Sequence, residues 1–247
     1  MLSAALQVGA LKGFVRIVSS RVGPDAVIFD VGANIGLTSI AMAVACPIAR
    51  IFAFEGSPSN AAYLRWNTAA VENITVVEAA VSDRSRTLMF ASTYGAGSHV
   101  LGSGHIDDTL PTVAVEAISL DQFAEAHNLA PALIKIDVEG HEPEVLAGSR
   151  RIMETFHPWL CMEFNSWTLN AFGGHSPAAF VPTMWDAYDI EGQPAALSFL
   201  HTNMITNQCV DDVVMRLQEG RLAPTLAEMS YSPAARAEIA RLVAHLA

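Results

Sequence analysis

Positively charged residues are scarce in this sequence of 247 residues. Its 14 lysines and arginines are scattered and outnumbered by 25 acids, so the net charge is −11. Binding to phosphate backbones needs a concentrated positive face. The sequence therefore predicts no nucleic-acid partner, whereas a cationic or neutral small molecule is compatible with its charge.

Cysteine is also scarce. The three cysteines, Cys46, Cys161 and Cys209, lie far apart and form no C-x-x-C pair. This spacing predicts neither a disulfide framework nor a zinc knuckle, and it is typical of a reducing compartment, which we expect to be the cytoplasm. Each thiol is expected to pack as a small apolar side chain.

The sequence also lacks an apolar run long enough to span a membrane, and no basic segment precedes an apolar stretch as in a signal peptide. Near the N-terminus, Lys12 and Arg16 interrupt the apolar sequence. The apolar residues there recur at helical spacing: Leu6, Ala10, Phe14 and Ile17. We predict an amphipathic helix that packs on the core; two basic residues support membrane-surface binding poorly.

Short apolar runs alternate with helix-like segments along much of the chain. Five such runs lie near residues 28, 52, 76, 134 and 161, and helices are predicted over 37–45, 58–70, 120–128 and 143–156. Apolar strands separated by helices predict a parallel sheet covered on both faces. Residues 86–118 hold two strand-like runs joined by a glycine-rich loop, which predicts a hairpin-like insertion before the fourth strand.

After residue 164 we predict loops, a helix over 180–190, a final pair of strands over 196–218 and a mostly helical tail beyond Gly220. A single domain accounts for residues 1–247. It would comprise a helical lead-in (1–24), a cofactor-binding core (25–165) and a part with substrate-side loops, last strands and tail (166–247). The sequence is compatible with a homo-oligomer.

The segment "DVGANIG" follows the first predicted strand, where open α/β sheets bind ligands. Gly32 would let a ligand approach the backbone, and Gly36 would let the next helix approach the sheet. Asn34 replaces the middle glycine of a dinucleotide fingerprint, which disfavours NAD. Asp30 would repel a phosphate and attract a cation. Alternatively, the glycines only close a turn, and the acids at the strand ends are solvated or cap helices.

Glu55 ends the second predicted strand. A carboxylate at this place can accept both hydroxyl hydrogens of a ribose, a contribution of about 1.5 to 3 kcal/mol. A ligand with a ribose and a positive charge but no phosphate is S-adenosylmethionine. Its adenine is expected near Ala80, Val81 and Ser82, which end the third predicted strand.

Five motifs between Val27 and Glu163 resemble those of the FkbM-type family of class I S-adenosylmethionine-dependent methyltransferases. They are "FDVGANIGLTSI", "FAFEGSPSNAAYLRWN", "VVEAAVSD", "ISLDQF" and above all "LIKIDVEGHEPEVLAGS". In two places the chain departs from the family: Gly56 replaces a proline and Ser119 a threonine.

The resemblance implies a Rossmann-like α/β fold with a mostly parallel seven-stranded sheet and helices on both faces. It also implies O-methylation of a hydroxyl on a small molecule, a sugar or a polyketide-type natural product. An NAD- or nucleotide-sugar-dependent enzyme and a non-catalytic module that binds S-adenosylmethionine remain alternatives.

Methyl transfer to a hydroxyl requires the acceptor oxygen about 3 to 3.5 Å from the methyl carbon and a group that takes its proton. The fourth predicted strand ends in "IKIDVEGHE", where alternation places Lys135, Asp137 and Glu139 on one side. We predict that Asp137 or His141 is the general base, that Glu139 shapes the pocket and that Lys135 tunes the carboxylates. Alternatively, Lys135 forms a structural ion pair with Asp137, and His141 only begins a helix.

Asp137, Glu139, His141 and Glu163 could instead hold a divalent metal, since oxygen ligands suit magnesium. Their spacing matches no strong metal motif, so no metal is predicted. Later residues could line an acceptor pocket or serve only in packing and on the surface: Trp167, His175, His201 and Asn203.

Overall fold

The computed structural model describes residues 4–91, 99–100 and 112–231, with the backbone alone for residues 4–11 and 99. The first half contains α1 (Ala4–Arg21), β1 (Val27–Val31), α2 (Leu37–Ala45), β2 (Arg50–Phe54), α3 (Pro58–Thr68), β3 (Ile74–Val77), β4 (Ala80–Val81), β5 (Arg86–Ala91), β6 (His99–Val100), β7 (Thr112–Ile118) and α4 (Leu120–Ala126). The second half contains β8 (Pro131–Ile136), α5 (Glu142–Ala147), α6 (Arg150–Phe156), β9 (Trp159–Asn165), α7 (Ser166–Ala171), α8 (Pro177–Ala187), β10 (Tyr188–Ile190), α9 (Ala196–Ile205), β11 (Val210–Leu217) and α10 (Leu226–Ser230).

The main sheet has seven strands in the order β10-β11-β9-β8-β1-β2-β3. Its strands run parallel except β11, which is antiparallel to both β9 and β10. The predicted fold class, a mostly parallel α/β sheet of the Rossmann-like methyltransferase type, is confirmed.

The central strands are apolar on both faces because alternate side chains enter two different cores. Ile28 and Leu133 pack with α1 and α2 on one face. Phe29 and Ile134 belong to the larger core on the other face. There the ring of Phe29 meets Phe123 of α4 edge to face, with centroids 5.9 Å apart. Helices therefore cover both faces, as the continuous apolar runs predicted.

The predicted insertion forms a second, four-stranded sheet in the order β4-β7-β5-β6. Its centre is an antiparallel pair in which Arg86–Ala91 lies opposite Thr112–Ala117. Most of the predicted glycine-rich loop, residues 92–98 and 101–111, lies outside the described residues. The third predicted strand is divided: β3 ends at Val77 in the main sheet, and β4 pairs with β7 in the small one.

Three other expectations differ from the structure. The helix predicted over 143–156 is divided into α5 and α6 at Gly148, which packs against the residues after β4; a Cβ there would lie 2.1 Å from the carbonyl oxygen of Ser82. Residues 196–205 form α9 instead of a strand, with Phe199 and Asn203 buried one turn apart. The last pair of strands is β10 and β11, so the helix predicted over 180–190 ends at Ala187.

The N-terminal helix α1 is confirmed. Phe14 and Ile17 pack against the core beside α2, and Val18 is fully buried. The side chains of Leu6 and Ala10, like the tail after residue 231, lie outside the described residues. Among the helices that are described, none is both long and apolar enough to cross a bilayer. The three cysteines are unpaired, with Cys46 and Cys161 buried.

Candidate active site

The glycine turn after β1 lies between the ends of β2 and β8. Gly32 has φ +74°, and a Cβ there would lie 1.8 Å from the carbonyl oxygen of Asp137. Its amide donates to the carbonyl of Phe54 at 3.0 Å. Asn34 and Gly36 are also left-handed, with φ 52° and 96°. The turn thus needs glycine at position 32 for both its backbone angle and its close approach to β8.

We expect Gly32→Ala to destabilise the protein by several kcal/mol, about 3 or more, because strain and a backbone collision add. The matched control is Gly192→Ala. That glycine also has a positive φ of +67°, but open space surrounds its Cβ position, so the cost should stay near 1 to 2 kcal/mol. Urea unfolding of both variants measures the difference. Equal losses would show that the approach to Asp137 is unimportant.

Glu55 closes the turn from the end of β2. Its two carboxylate oxygens accept hydrogen bonds from the backbone amides of Asn34 and Ser57, both at 2.8 Å. Burial raises the pKa of Glu55, and these two amides oppose the rise. The carboxylate is thereby fixed in place while it borders an open cavity.

This cavity, cavity 1, has a volume of about 180 Å³ and lies at the carboxyl ends of the central strands. Five residues predicted to hold the cofactor line it: Gly32, Asn34, Glu55, Ala80 and Val81. Four carboxylates also line it: Glu55, Asp137, Glu139 and Glu163. No lysine or arginine is among its described lining residues. The cavity therefore favours a cation and disfavours a phosphate.

Three residues predicted for cofactor binding do not line cavity 1. Gly36 begins α2, and a Cβ there would lie 2.7 Å from a methyl group of Leu64. Ser82 is buried beneath the cavity, where its hydroxyl meets Nε2 of His141 at 3.0 Å. Asp30 is fully buried, and its Oδ2 accepts hydrogen bonds from Thr38 and Ser39 of α2.

The charge of Asp30 is balanced inside the protein by Lys135. The two are direct neighbours in the parallel register of β1 and β8, and Nζ lies 3.5 Å from Asp30 Oδ1 and 3.3 Å from Asp137 Oδ2. The ammonium also donates to the carbonyl of Gly32 at 2.8 Å. Burial alone would lower the pKa of Lys135, but Asp137 and Asp30 more than offset it, so its pKa is raised.

Three carboxylates meet beyond the ends of β8 and β9. Asp137, Glu139 and Glu163 each place an oxygen within 4.8 Å of the others. Burial and the charge of Asp137 raise the pKa of Glu139 to about 7 and that of Glu163 to about 8. Three of the four residues considered for a metal site are thus together, without His141. Protonation or a bound cation would reduce the electrostatic repulsion between the three carboxylates.

Glu139 reaches this cluster by a different route from the one predicted. The strand β8 ends at Ile136, so alternation does not extend to Glu139. Instead, Glu139 is left-handed at φ 53°, and Gly140 follows with φ 99°. A Cβ at Gly140 would lie 2.4 Å from the carbonyl of Thr168. The turn, and not the strand, therefore directs Glu139 toward Asp137.

His141 borders cavity 1, but both of its ring nitrogens face protein groups. Nε2 lies 3.0 Å from Ser82 Oγ, and Nδ1 lies 3.4 Å from Glu144 Oε2. The other oxygen of Glu144 bonds to His175 at 2.9 Å. Burial lowers the pKa of His141. With Ser82 Oγ beside Nε2 and Glu144 Oε2 beside Nδ1, both ring nitrogens already have a protein neighbour.

Glu142, the next residue, gives the fold a pH dependence. Burial raises its pKa from 4.5 to about 7, although one oxygen accepts from the amides of Val138 and Gly140. Because the folded chain keeps this proton to a higher pH than the unfolded chain, the free energy of unfolding falls as pH rises from about 4.5 to 7. We expect Glu142→Gln to be more stable than the parent by about 1 to 3 kcal/mol at pH 8 and nearly equal to it at pH 5.

Urea unfolding at both pH values tests this expectation, with Glu72→Gln, a change at an exposed acid, as the control. A gain for Glu142→Gln that is as large at pH 5 as at pH 8 would contradict it.

The later residues considered for an acceptor pocket are placed elsewhere. His175 is held by Glu144, Asn203 is buried against Asp211, His201 is exposed, and Trp167 packs its ring on Phe172. None of the four is a lining residue of cavity 1 or of the second cavity described below.

Three residues that border the site were not predicted from the sequence. Phe90 and Val100 of the small sheet cover cavity 1. Asp212 of β11 lies opposite Glu163 in the antiparallel register. The one available signal was an acidic pair, Asp211 and Asp212, in a strand whose other residues, apart from Arg216, are apolar.

The model of the methyltransferase FkbM domain matches residues 30–206. A 2-O-methyltransferase from Sinorhizobium fredii, NoeI, is 30% identical over 159 residues, which cover 58% of this chain and 65% of the relative. The hexuronic acid methyltransferase AglP from Haloferax volcanii is 28% identical over 144 residues, 57% of each chain. The match thus spans less than two thirds of either relative.

Among solved structures, the methyltransferase FkbM from Methylobacillus flagellatus is 16% identical, with a TM-score of 0.49, over 79% of this chain and 44% of that one. The family model covers well over half of the chain. With it, the resemblance predicted from the sequence is confirmed: the chain belongs to the FkbM methyltransferase family.

Proposed function

We propose that this protein is an S-adenosylmethionine-dependent O-methyltransferase that acts on a hydroxyl of a small molecule or glycan. The observation that carries the proposal is the acidic lining of cavity 1, which has four acidic side chains and no lysine or arginine among its described residues. A dinucleotide or nucleotide sugar would place negatively charged phosphates beside these acids. S-adenosylmethionine would instead place its cationic sulfonium and ammonium groups there.

The residues of cavity 1 fit the proposed cofactor. Glu55 is held by two amides and can accept hydroxyl hydrogens of a ribose with its remaining lone pairs. Ala80, Val81 and Phe90 offer an apolar surface for a base. Gly32 also lines the cavity and, having no side chain, leaves its backbone accessible to a ligand. When bound, S-adenosylmethionine supplies a methyl group made electrophilic by its sulfonium.

Asp137 is the general base in this proposal. Its carboxylate is only partly buried and borders both cavity 1 and the second cavity. The ammonium of Lys135 lies 3.3 Å from this carboxylate and fixes its position, while the carboxylate stays accessible from both cavities. Asp137 would take the proton of the acceptor hydroxyl as the oxygen attacks the methyl carbon. In this proposal, His141 has a structural role through its contacts with Ser82 and Glu144.

The names of the two relatives support an acceptor of the sugar type, since one is a 2-O-methyltransferase and the other acts on a hexuronic acid. The trio of acids could also hold a divalent cation beside the acceptor oxygen, and oxygen ligands of this kind suit magnesium.

Calorimetry with S-adenosylmethionine, NAD and a nucleotide sugar tests the proposal. We expect only S-adenosylmethionine to bind, and methyl transfer to occur with some member of a panel of hydroxylated sugars. Binding of NAD instead would overturn the proposal. Cofactor binding without transfer to any hydroxyl would favour the non-catalytic module.

A further inference from the structure

A second cavity, cavity 2, lies between α1 and the main sheet. Its volume is about 400 Å³. Phe14 and Ile17 of α1 border it on one side, and Cys161 and Val214 border it on the other. Two residues, Asp137 and Glu163, line both cavity 1 and cavity 2. A molecule in cavity 2 therefore reaches the acid that faces the cofactor cavity.

The polar end of cavity 2 is acidic because of the strand register. Lys135, Glu163 and Asp212 lie on adjacent strands and on one face of the sheet, since Lys135 is opposite Cys161 on β9 and Glu163 is opposite Asp212 on β11. With Asp137, this gives three carboxylates and one ammonium. The ammonium is already engaged by Asp30, Asp137 and the Gly32 carbonyl.

We infer that cavity 2 is the acceptor site and that it takes an uncharged hydroxyl compound with an apolar side, while Asp212 disfavours acceptors that carry a carboxylate. This inference rests on the proposed function and narrows its substrate class. The hydroxyl would lie at Asp137, and the apolar side would pack on Phe14 and Ile17. The expected preference differs from that named for the relative AglP, a hexuronic acid methyltransferase.

The position of Asp212 supports the selection against an anion. Asp212 is paired with Glu163 across β11 and β9, and both acids line cavity 2 together with Asp137. A carboxylate on the acceptor would add a further like charge in a partly dehydrated cavity.

The first experiment uses a matched pair of ligands, hexyl glucoside and hexyl glucuronide, which differ in a hydroxymethyl group and a carboxylate. Their affinities for the full chain are measured by calorimetry, with the chain saturated with S-adenosylhomocysteine and with EDTA present. We expect the glucoside to bind at least about tenfold more tightly. Equal or tighter binding of the glucuronide overturns the inference, as does binding of neither ligand.

The second experiment fills the cavity. Gly13 lines cavity 2 on α1, and a Cβ there meets no atom within 4 Å. The change Gly13→Leu should therefore preserve the fold, since leucine favours a helix more than glycine. It should weaken binding of the glucoside by about tenfold or more, because the cavity is occupied. The affinity for S-adenosylmethionine should not change. Unchanged glucoside binding would overturn the assignment.

The third experiment separates charge from shape. Asp212→Asn should reduce the preference for the glucoside to about threefold or less, because one like charge is removed. Asp211→Asn is the matched control, because the Asp211 carboxylate bonds to Asn203 and Asn207 and is absent from the lining of both cavities. An equal effect of both changes would contradict the role of Asp212.

Two outcomes distinguish this inference from the proposed function. If the parent chain does not bind S-adenosylmethionine, the proposed function itself is wrong. Tight binding of the glucuronide that appears only after magnesium is added would defeat this inference alone, since the acids would then attract an anion through the metal.

Discussion

Replacing Asp137 with asparagine is expected to lower kcat by about a hundred to ten thousand-fold, the usual contribution of a positioned base. The amide keeps the size of the side chain but cannot take a proton from the acceptor hydroxyl. Because Lys135 remains near Asp30 at 3.5 Å and bonded to the Gly32 carbonyl, the fold should persist. Initial rates of transfer from methyl-labelled S-adenosylmethionine, with calorimetry of cofactor binding, measure the effect.

His141→Asn is the comparison that tests the assignment of the base. Since both nitrogens of His141 contact Ser82 and Glu144, its loss should lower kcat by less than about tenfold and reduce stability by about 1 to 3 kcal/mol. If a folded His141 variant loses as much turnover as Asp137→Asn, the base has been assigned to the wrong residue.

Glu55→Gln is expected to raise the Kd for S-adenosylmethionine by about ten to a hundredfold, in line with the loss of a charged hydrogen bond. The amide oxygen can still accept one of the two backbone amides, but the NH₂ group faces the other donor. The same variant should bind the 2′-deoxy analogue of the cofactor with a much smaller penalty, because the analogue lacks one of the hydroxyls that Glu55 would bind.

The affinities for S-adenosylmethionine and for its 2′-deoxy analogue together distinguish a lost hydrogen bond to the ribose from general damage to the turn. A variant that loses affinity equally for both ligands would indicate damage to the turn held by Asn34 and Ser57. Asp212→Asn, outside cavity 1, serves as the control and should leave the affinity for the cofactor unchanged.

The central strands and the glycine turn after β1 could be predicted because their causes are local. The apolar run 27–31 is a strand buried on both faces, and the glycines at 32 and 36 follow it directly. Glu55 could be placed because the carboxyl ends of neighbouring parallel strands meet at one edge of the sheet.

Other features depend on partners that are distant in sequence. Asp30 was expected to face a ligand, yet it pairs with Lys135, which the register of β1 and β8 brings beside it. Where α5 ends, Gly148 lies against Ser82, a residue that is distant in sequence. No local pattern indicates that Asp212 lies beside Glu163, because that pairing follows from the reversed direction of β11.

The ammonium of Lys135 contacts both the Gly32 carbonyl in the glycine turn and the carboxylate of Asp137. In the proposed mechanism, this one cation would fix the distance between the methyl donor at the turn and the acceptor hydroxyl at Asp137. Because that distance would be set from within the sheet, the insertion and α1 would be free to change shape for another acceptor while the reacting atoms keep their distance.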